Sequence, residues 1–187
     1  MRDLFRLAGD LQVLLEEQAW KYCFIGGLAL QRWGENRLTR DVDLTILTGF
    51  GRESGFIDKL LATFSGRRAD AREFALQYRV LLLRSDENIG IDVSLAALPF
   101  EEALIERATD FEFLPASPVR TCSAEDLVVL KAFAARPQDW IDIRGVLVRQ
   151  GHRLERDAIR TRLAPLVELK EEPEIERRLE ALFDEVS

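Results

Sequence analysis

Histidine, cysteine and methionine are nearly absent from this chain. Its 187 residues include one histidine, two cysteines and one methionine. One histidine cannot build a multi-histidine metal centre, and two cysteines with it cannot complete a four-ligand zinc site without carboxylates. Two cysteines do not staple a disulfide scaffold, which favours a reducing compartment. Neither Cys23 nor Cys122 has a histidine near it in sequence, which argues against a thiol nucleophile with a histidine base. Long apolar runs are missing as well: none approaches the roughly 18 residues of a membrane span. The first residues, Met1-Arg2-Asp3-Leu4, lack a signal-peptide core. A cytoplasmic protein with no membrane partner is therefore expected. A chain of this length buries roughly 70% of its unfolded surface and folds without a structural metal or disulfide.

Carboxylates are abundant. The chain carries 33 Asp and Glu against 26 Lys and Arg, a formal charge of −7. This balance argues against a general DNA coat or a polybasic membrane binder, and leaves RNA open. It also makes acids, working with a hard cation such as Mg²⁺, the first place to look for chemistry. Arginines cluster at Arg67, Arg68, Arg72, Arg79 and Arg84, and again from Arg149 to Arg162. Such runs usually form solvated faces, and these are read that way.

Leu4, Leu7, Leu11, Leu14 and Leu15 repeat at helical spacing over residues 2–20. Strands are expected at residues 22–25, 42–47, 80–83 and 89–95, with a short edge strand at 111–114. Helices are expected at 28–33, 57–64 and 100–108. The texture changes at Pro115 to Pro118, and four helices follow. The first is capped by Ser123 with Glu125 and Asp126 in its first turn. The others cover about 138–149, 155–170 and 174–186. The expected architecture is α/β (α+β): a small mixed β-sheet flanked by helices over residues 1–120, then a helical subdomain over 121–187. A cleft between the two parts is the natural ligand site.

The sharpest motif is Phe24-Ile25-Gly26-Gly27, thirteen intervening residues, then Asp41-Val42-Asp43-Leu44. Asp41 and Asp43, at i and i+2 of a strand, share a face, while Val42 and Leu44 point to the core. Paired carboxylates repel one another unless a cation neutralises them. A third acid, Asp92, sits between Ile91 and Val93 in another apolar strand and needs a partner there. If the two strands are neighbours, three carboxylates converge as two-metal phosphoryl or nucleotidyl transfer requires. Gly26-Gly27 lets backbone approach a phosphate, and the following helix offers its free N–H groups. No Walker lysine follows, and the third glycine of a dinucleotide fingerprint is missing.

These pieces together resemble the signature of the nucleotidyltransferase fold superfamily. Arg37-Leu38-Thr39-Arg40-Asp41-Val42-Asp43-Leu44 is similar to its minimal AbiEii-type branch, which contains toxins of type IV toxin–antitoxin pairs. Glu125 to Lys131, followed by Arg136, Asp139 and Ile141-Asp142-Ile143, is similar to that branch's helical motifs. The likeness spans about residues 22 to 147. It implies an Mg²⁺-dependent (or Mn²⁺-dependent) enzyme that moves a nucleoside monophosphate from an NTP to a hydroxyl acceptor. Asp41 and Asp43 would bind metal. Asp92 would be the third ligand or would activate the acceptor. Gly26 and Gly27 would hold the triphosphate. Lys131 would contact phosphate or nucleotide, Arg37 and Thr39 would support nucleotide binding, and Asp142 or Asp139 would orient nucleotide or acceptor. The acceptor could be tRNA, a protein side chain or a small molecule, and a cognate antitoxin is an expected partner.

Blander roles compete. Lys131 borders an apolar face and could snorkel to water. Asp139 and Asp142 could serve the helix dipole. His152 suits a helix end, and Trp33 and Trp140 suit packing. Two alternatives to the enzyme follow: a non-catalytic nucleotide- or partner-binding protein of the same fold, and an antitoxin-like interaction protein built on the acidic helical end.

Overall fold

The computed structural model describes residues 2–186. The chain forms two units, the first of residues 2–28 with 38–122, the second of residues 29–37 with 123–186.

The first unit is built on a seven-stranded mixed sheet. In chain order its elements are α1 (Arg2–Glu17), β1 (Tyr22–Phe24), the start of α2 (Gly26–Trp33), β2 (Asp41–Leu47), α3 (Glu53–Thr63), β3 (Ser65–Gly66), α4 (Ala71–Tyr78), β4 (Val80–Arg84), β5 (Gly90–Ala96), α5 (Pro99–Glu106), β6 (Thr109–Leu114) and β7 (Ser117–Thr121). The spatial order is β3-β4-β5-β2-β1-β7-β6. β2 runs parallel to β5 and antiparallel to β1. Val42, Leu44 and Ile46 of β2 and Ile91, Val93 and Leu95 of β5 are buried, as alternation along a half-covered strand dictates. Helix α1 seals this face with Leu4, Leu7, Ala8, Leu11 and Leu15. Gln12 sutures α1 to β7: its Nε2 donates to the Pro118 carbonyl and its Oε1 accepts from the Arg120 N–H.

Three elements are absent from the sequence reading. β7 falls in the stretch read as a change of texture because it holds Pro118, which cannot donate to a ladder. The proline is tolerated because β7 meets β1 only at Phe24↔Thr121. α4 lies inside the arginine-rich run, where charge hides a two-turn helix, and β3 has only two residues.

The second unit contains the helices α6 (Ala124–Ala134), α7 (Pro137–Gln150), α8 (Arg156–Lys170) and α9 (Glu174–Glu185), with a 3-10 turn at Gly151–Arg153. Ser123 caps α6 by accepting from the Asp126 N–H. Leu127 and Val128 of α6, Ile143 and Val146 of α7, Ile159 and Leu163 of α8 and Leu179 and Phe183 of α9 are buried. Residues 29–37 dock against α7. Gln150 Nε2 donates to the Trp33 carbonyl at 2.6 Å, and Arg149 donates to that of Gly34. Gly145 leaves room for Glu35, whose Cγ would lie 3.2 Å from an added Cβ. No described helix is long and apolar enough to cross a membrane.

Candidate active site

In the first unit the parallel pairing of β2 with β5 sets Asp41 opposite Gly90 and Asp43 opposite Asp92. Their side chains lie on the face away from the buried Val42, Leu44, Ile91 and Val93. The three acids thus sit on adjacent strands, two of them directly across from each other. Burial raises the pKa of the Asp92 carboxyl, against the nearby Arg67 charge, and Asp41 adds to the rise.

The glycine pair is shaped around one of these acids. Gly26 has φ of +56°, and a Cβ there would lie 2.2 Å from Asp43 Oδ2. The Gly27 N–H donates to the same Oδ2 at 3.2 Å. A Cβ on Gly27 would meet Thr39 Oγ1 at 2.4 Å, and that hydroxyl donates to the Asp41 carbonyl. Gly26, Gly27 and Thr39 therefore position the two β2 aspartates in this structure, with the Gly27 amide turned onto a carboxylate. Gly26→Ala is expected to push Asp43 aside and to carry the left-handed penalty of about 1–2 kcal/mol. A melting curve and a transfer assay would register both losses. Unchanged activity would show that the Asp43 position is not critical.

Two further residues belong here that sequence reasoning missed. Gly90 must be glycine for Asp41 to stand where it does, since a Cβ would fall 2.0 Å from Asp41 Oδ1. A glycine within an apolar strand is the signal that could have shown this close approach. Arg67, read as part of a solvated run, instead reaches over the acids. Its guanidinium pairs with Asp92 and lies 3.9 Å from Asp41 Oδ1. Arg68 and Arg72 of the same run do form surface ion pairs, with Asp70 and Asp58. Nothing in a local pattern separates Arg67 from them.

Among the described residues, no three His, Cys, Asp or Glu side chains are gathered as a ready metal cage. Arg67 stands between Asp41 and Asp92, and Asp43 is turned to the Gly27 amide. The donor chemistry nonetheless fits a hard cation: all the donors are carboxylate oxygens, and a positive group is already drawn between two of them.

In the second unit the residues singled out from sequence form one network around the buried Lys131, Asp139 and Asp142. Lys131 is 6% exposed. Its Nζ donates to Asp142 Oδ2 at 2.6 Å and to Asp139 Oδ1 at 3.2 Å. Arg37 forks onto Asp142 with Nε and Nη2, each at 3.0 Å. Gln138 donates to Asp142, and Arg136 to Asp139. Neither a snorkelling lysine nor dipole-only aspartates describe this arrangement, because all three side chains are buried and mutually paired. Trp140 is buried, as packing predicts, and donates to the Ala135 carbonyl.

Burial pushes the Asp142 carboxyl up, but hydrogen bonds from Arg37, Lys131 and Gln138 outweigh it and hold the group below its usual range. A carboxyl with a depressed folded pKa stabilises fully above its unfolded value of about 3.9. The contribution is lost as pH falls through the lower folded value. The stability gap between the wild type and Asp142→Asn should therefore be constant above about pH 5 and close in stronger acid. Urea melts across that range test it, and a gap independent of pH would refute the charge assignment.

Comparison with known proteins identifies the family and the fold. The family model described as "Nucleotidyl transferase AbiEii toxin, Type IV TA system" matches residues 11–187. A comparison with curated proteins finds no significant match. Among solved structures, a crystal structure of an antigenic nucleotidyltransferase-like protein from Paracoccidioides brasiliensis superposes with a TM-score of 0.54 at 18% identity, covering 97% of this chain and 94% of that one. The crystal structure of ANT(2")-Ia in complex with adenylyl-2"-tobramycin gives a TM-score of 0.55 at 18% identity, covering 89% and 98%. At such identity the likeness shows the nucleotidyltransferase fold. With the family model spanning nearly the whole sequence, the chain belongs to the AbiEii nucleotidyltransferase family.

Proposed function

We propose that this protein is an Mg²⁺-dependent nucleotidyltransferase, able to use Mn²⁺, that moves a nucleoside monophosphate from an NTP to a hydroxyl acceptor. The observation that carries this is the register of β2 on β5, which sets Asp41, Asp43 and Asp92 on one sheet face beside a tightly fitted Gly-Gly turn.

In the proposed reaction an acceptor oxygen bonds to the α-phosphorus while the bond from that phosphorus to the bridging oxygen breaks, and pyrophosphate leaves. Divalent cations, when bound, stabilise charge on the phosphoryl oxygens and lower the acceptor hydroxyl's pKa. Asp41 and Asp43 would hold them. Asp92 would be the third ligand or would receive the acceptor's proton. Gly26 and Gly27 would serve the triphosphate only after the Gly27 amide releases Asp43. Thr39 acts through the backbone of Asp41. Lys131 would contact phosphate only on release from Asp139 and Asp142, and Arg37 and the orienting acids Asp139 or Asp142 would serve the nucleotide only once their own pairing opens. Membership of a type IV toxin–antitoxin family supports an antitoxin as partner and a toxin role.

The test is transfer of label from each α-³²P NTP, with Mg²⁺, to total tRNA, to cell protein or to small hydroxylated molecules. Label in one acceptor class, with pyrophosphate released and no transfer from γ-³²P NTP, is the expected result. NTP binding without label transfer or pyrophosphate release in any arm would favour a non-catalytic binding protein instead.

A further inference from the structure

Arg67 follows the short strand β3 and is anchored through its backbone N–H to the Leu82 carbonyl of β4. From there its guanidinium pairs with Asp92 and approaches Asp41. The side chain is only 24% exposed, so water screens the pair less than it would a surface bridge. Its hydrogen bonding is incomplete: Nε is buried and has no partner among the described residues. The guanidinium is thus held in place by charge rather than by a full set of acceptors. It relieves the repulsion between two acids that no other described cation bridges.

Resting on the assignment of these acids to cation binding, we propose that Arg67 is a resident counter-cation that competes with divalent metal for Asp41 and Asp92, and must swing away before metal loads. A guanidinium and a divalent cation cannot share the space between the same two carboxylates, for reasons of both volume and charge. Arg67 keeps the acids neutralised and positioned in the metal-free protein. Its displacement is a cost that weakens the binding of free metal.

Mn²⁺ binding to the full-length protein without nucleotide, followed by electron paramagnetic resonance, tests this. Arg67→Gln removes the charge and is expected to tighten Mn²⁺ on the order of tenfold, a gain lost when Asp41→Asn is added. Equal or weaker Mn²⁺ binding by Arg67→Gln, with binding still abolished by Asp41→Asn, would overturn the role of Arg67 and leave the carboxylate site standing. Mn²⁺ that ignores Asp41→Asn, or binds no variant, would remove the metal site and this role with it. Should Arg67→Gln fail to fold, the ¹⁵Nε resonance of Arg67 in the wild type gives the same answer. It should shift as Mg²⁺ is added, and an unmoved resonance would overturn the competition.

Discussion

Asp43→Asn is expected to lower nucleotidyl transfer on the order of a thousandfold or more while leaving the fold nearly unperturbed. Asparagine has the shape of aspartate, and its carbonyl oxygen can still accept the Gly27 N–H, which keeps the turn after β1 in place. The negative charge is what disappears. Asp43 lies opposite Asp92 on a sheet face with one further acid, Asp41, so losing it removes one of the three charges proposed to hold the cations. Nucleotide binding should survive better than turnover, because in the proposed site phosphates would also meet the backbone amides of the Gly26-Gly27 turn once Gly27 is released. The loss should fall mainly on kcat, since Asp43 in its proposed role as a ligand to the reacting centre would act on the transition state. Comparable losses are expected for Asp41→Asn and Asp92→Asn. Full activity in Asp43→Asn would mean that these acids are structural.

The second large effect is on stability. Lys131→Met keeps the length of the side chain but leaves Asp139 and Asp142 without the cation they share. Removing one partner of a buried ionic network costs about 3–5 kcal/mol, since the remaining charges stay buried and uncompensated. Arg37 and Gln138 still reach Asp142, and Arg136 still reaches Asp139, which places the expected loss toward the lower end. For a protein of this size that is a fall in Tm of about 6–20 °C. Circular dichroism melts should report it, with the helical signal going first. A Tm within about 1 °C of wild type would show that Lys131 is spared for ligand and contributes little to folding.

Much of the sheet, and the shared face of the three aspartates, were legible in the sequence, for a definite reason. Asp41, Asp43 and Asp92 interrupt apolar strands, and period-two alternation tells which face each occupies. Only the pairing of β2 with β5 had to be supplied by the structure, and it brings Asp43 and Asp92 opposite each other. Gly26 and Gly27 stood out by position, but their tight fit against Asp43 and Thr39 is a tertiary fact. Arg67 was hidden because its partners lie 25 or more residues away, while its sequence neighbours make ordinary surface pairs. The Lys131 network escaped in part for the same reason. Lys131 and Asp142 are 11 residues apart on successive helices, and Arg37 reaches Asp142 from 105 residues upstream. The placement of residues 29–37 with the helical unit likewise depends on contacts with α7 that no local periodicity announces. β7 and α4 were missed where proline and charge overrode local preference.

The most direct measurement is an anomalous difference map from crystals of the wild type grown with Mn²⁺ and an α,β-methylene NTP. Manganese peaks bonded to Asp41, Asp43 and Asp92, with the α-phosphate on the same ions and the Arg67 guanidinium moved off Asp92, are the predicted result. Bound nucleotide with no manganese at these three carboxylates would contradict the account.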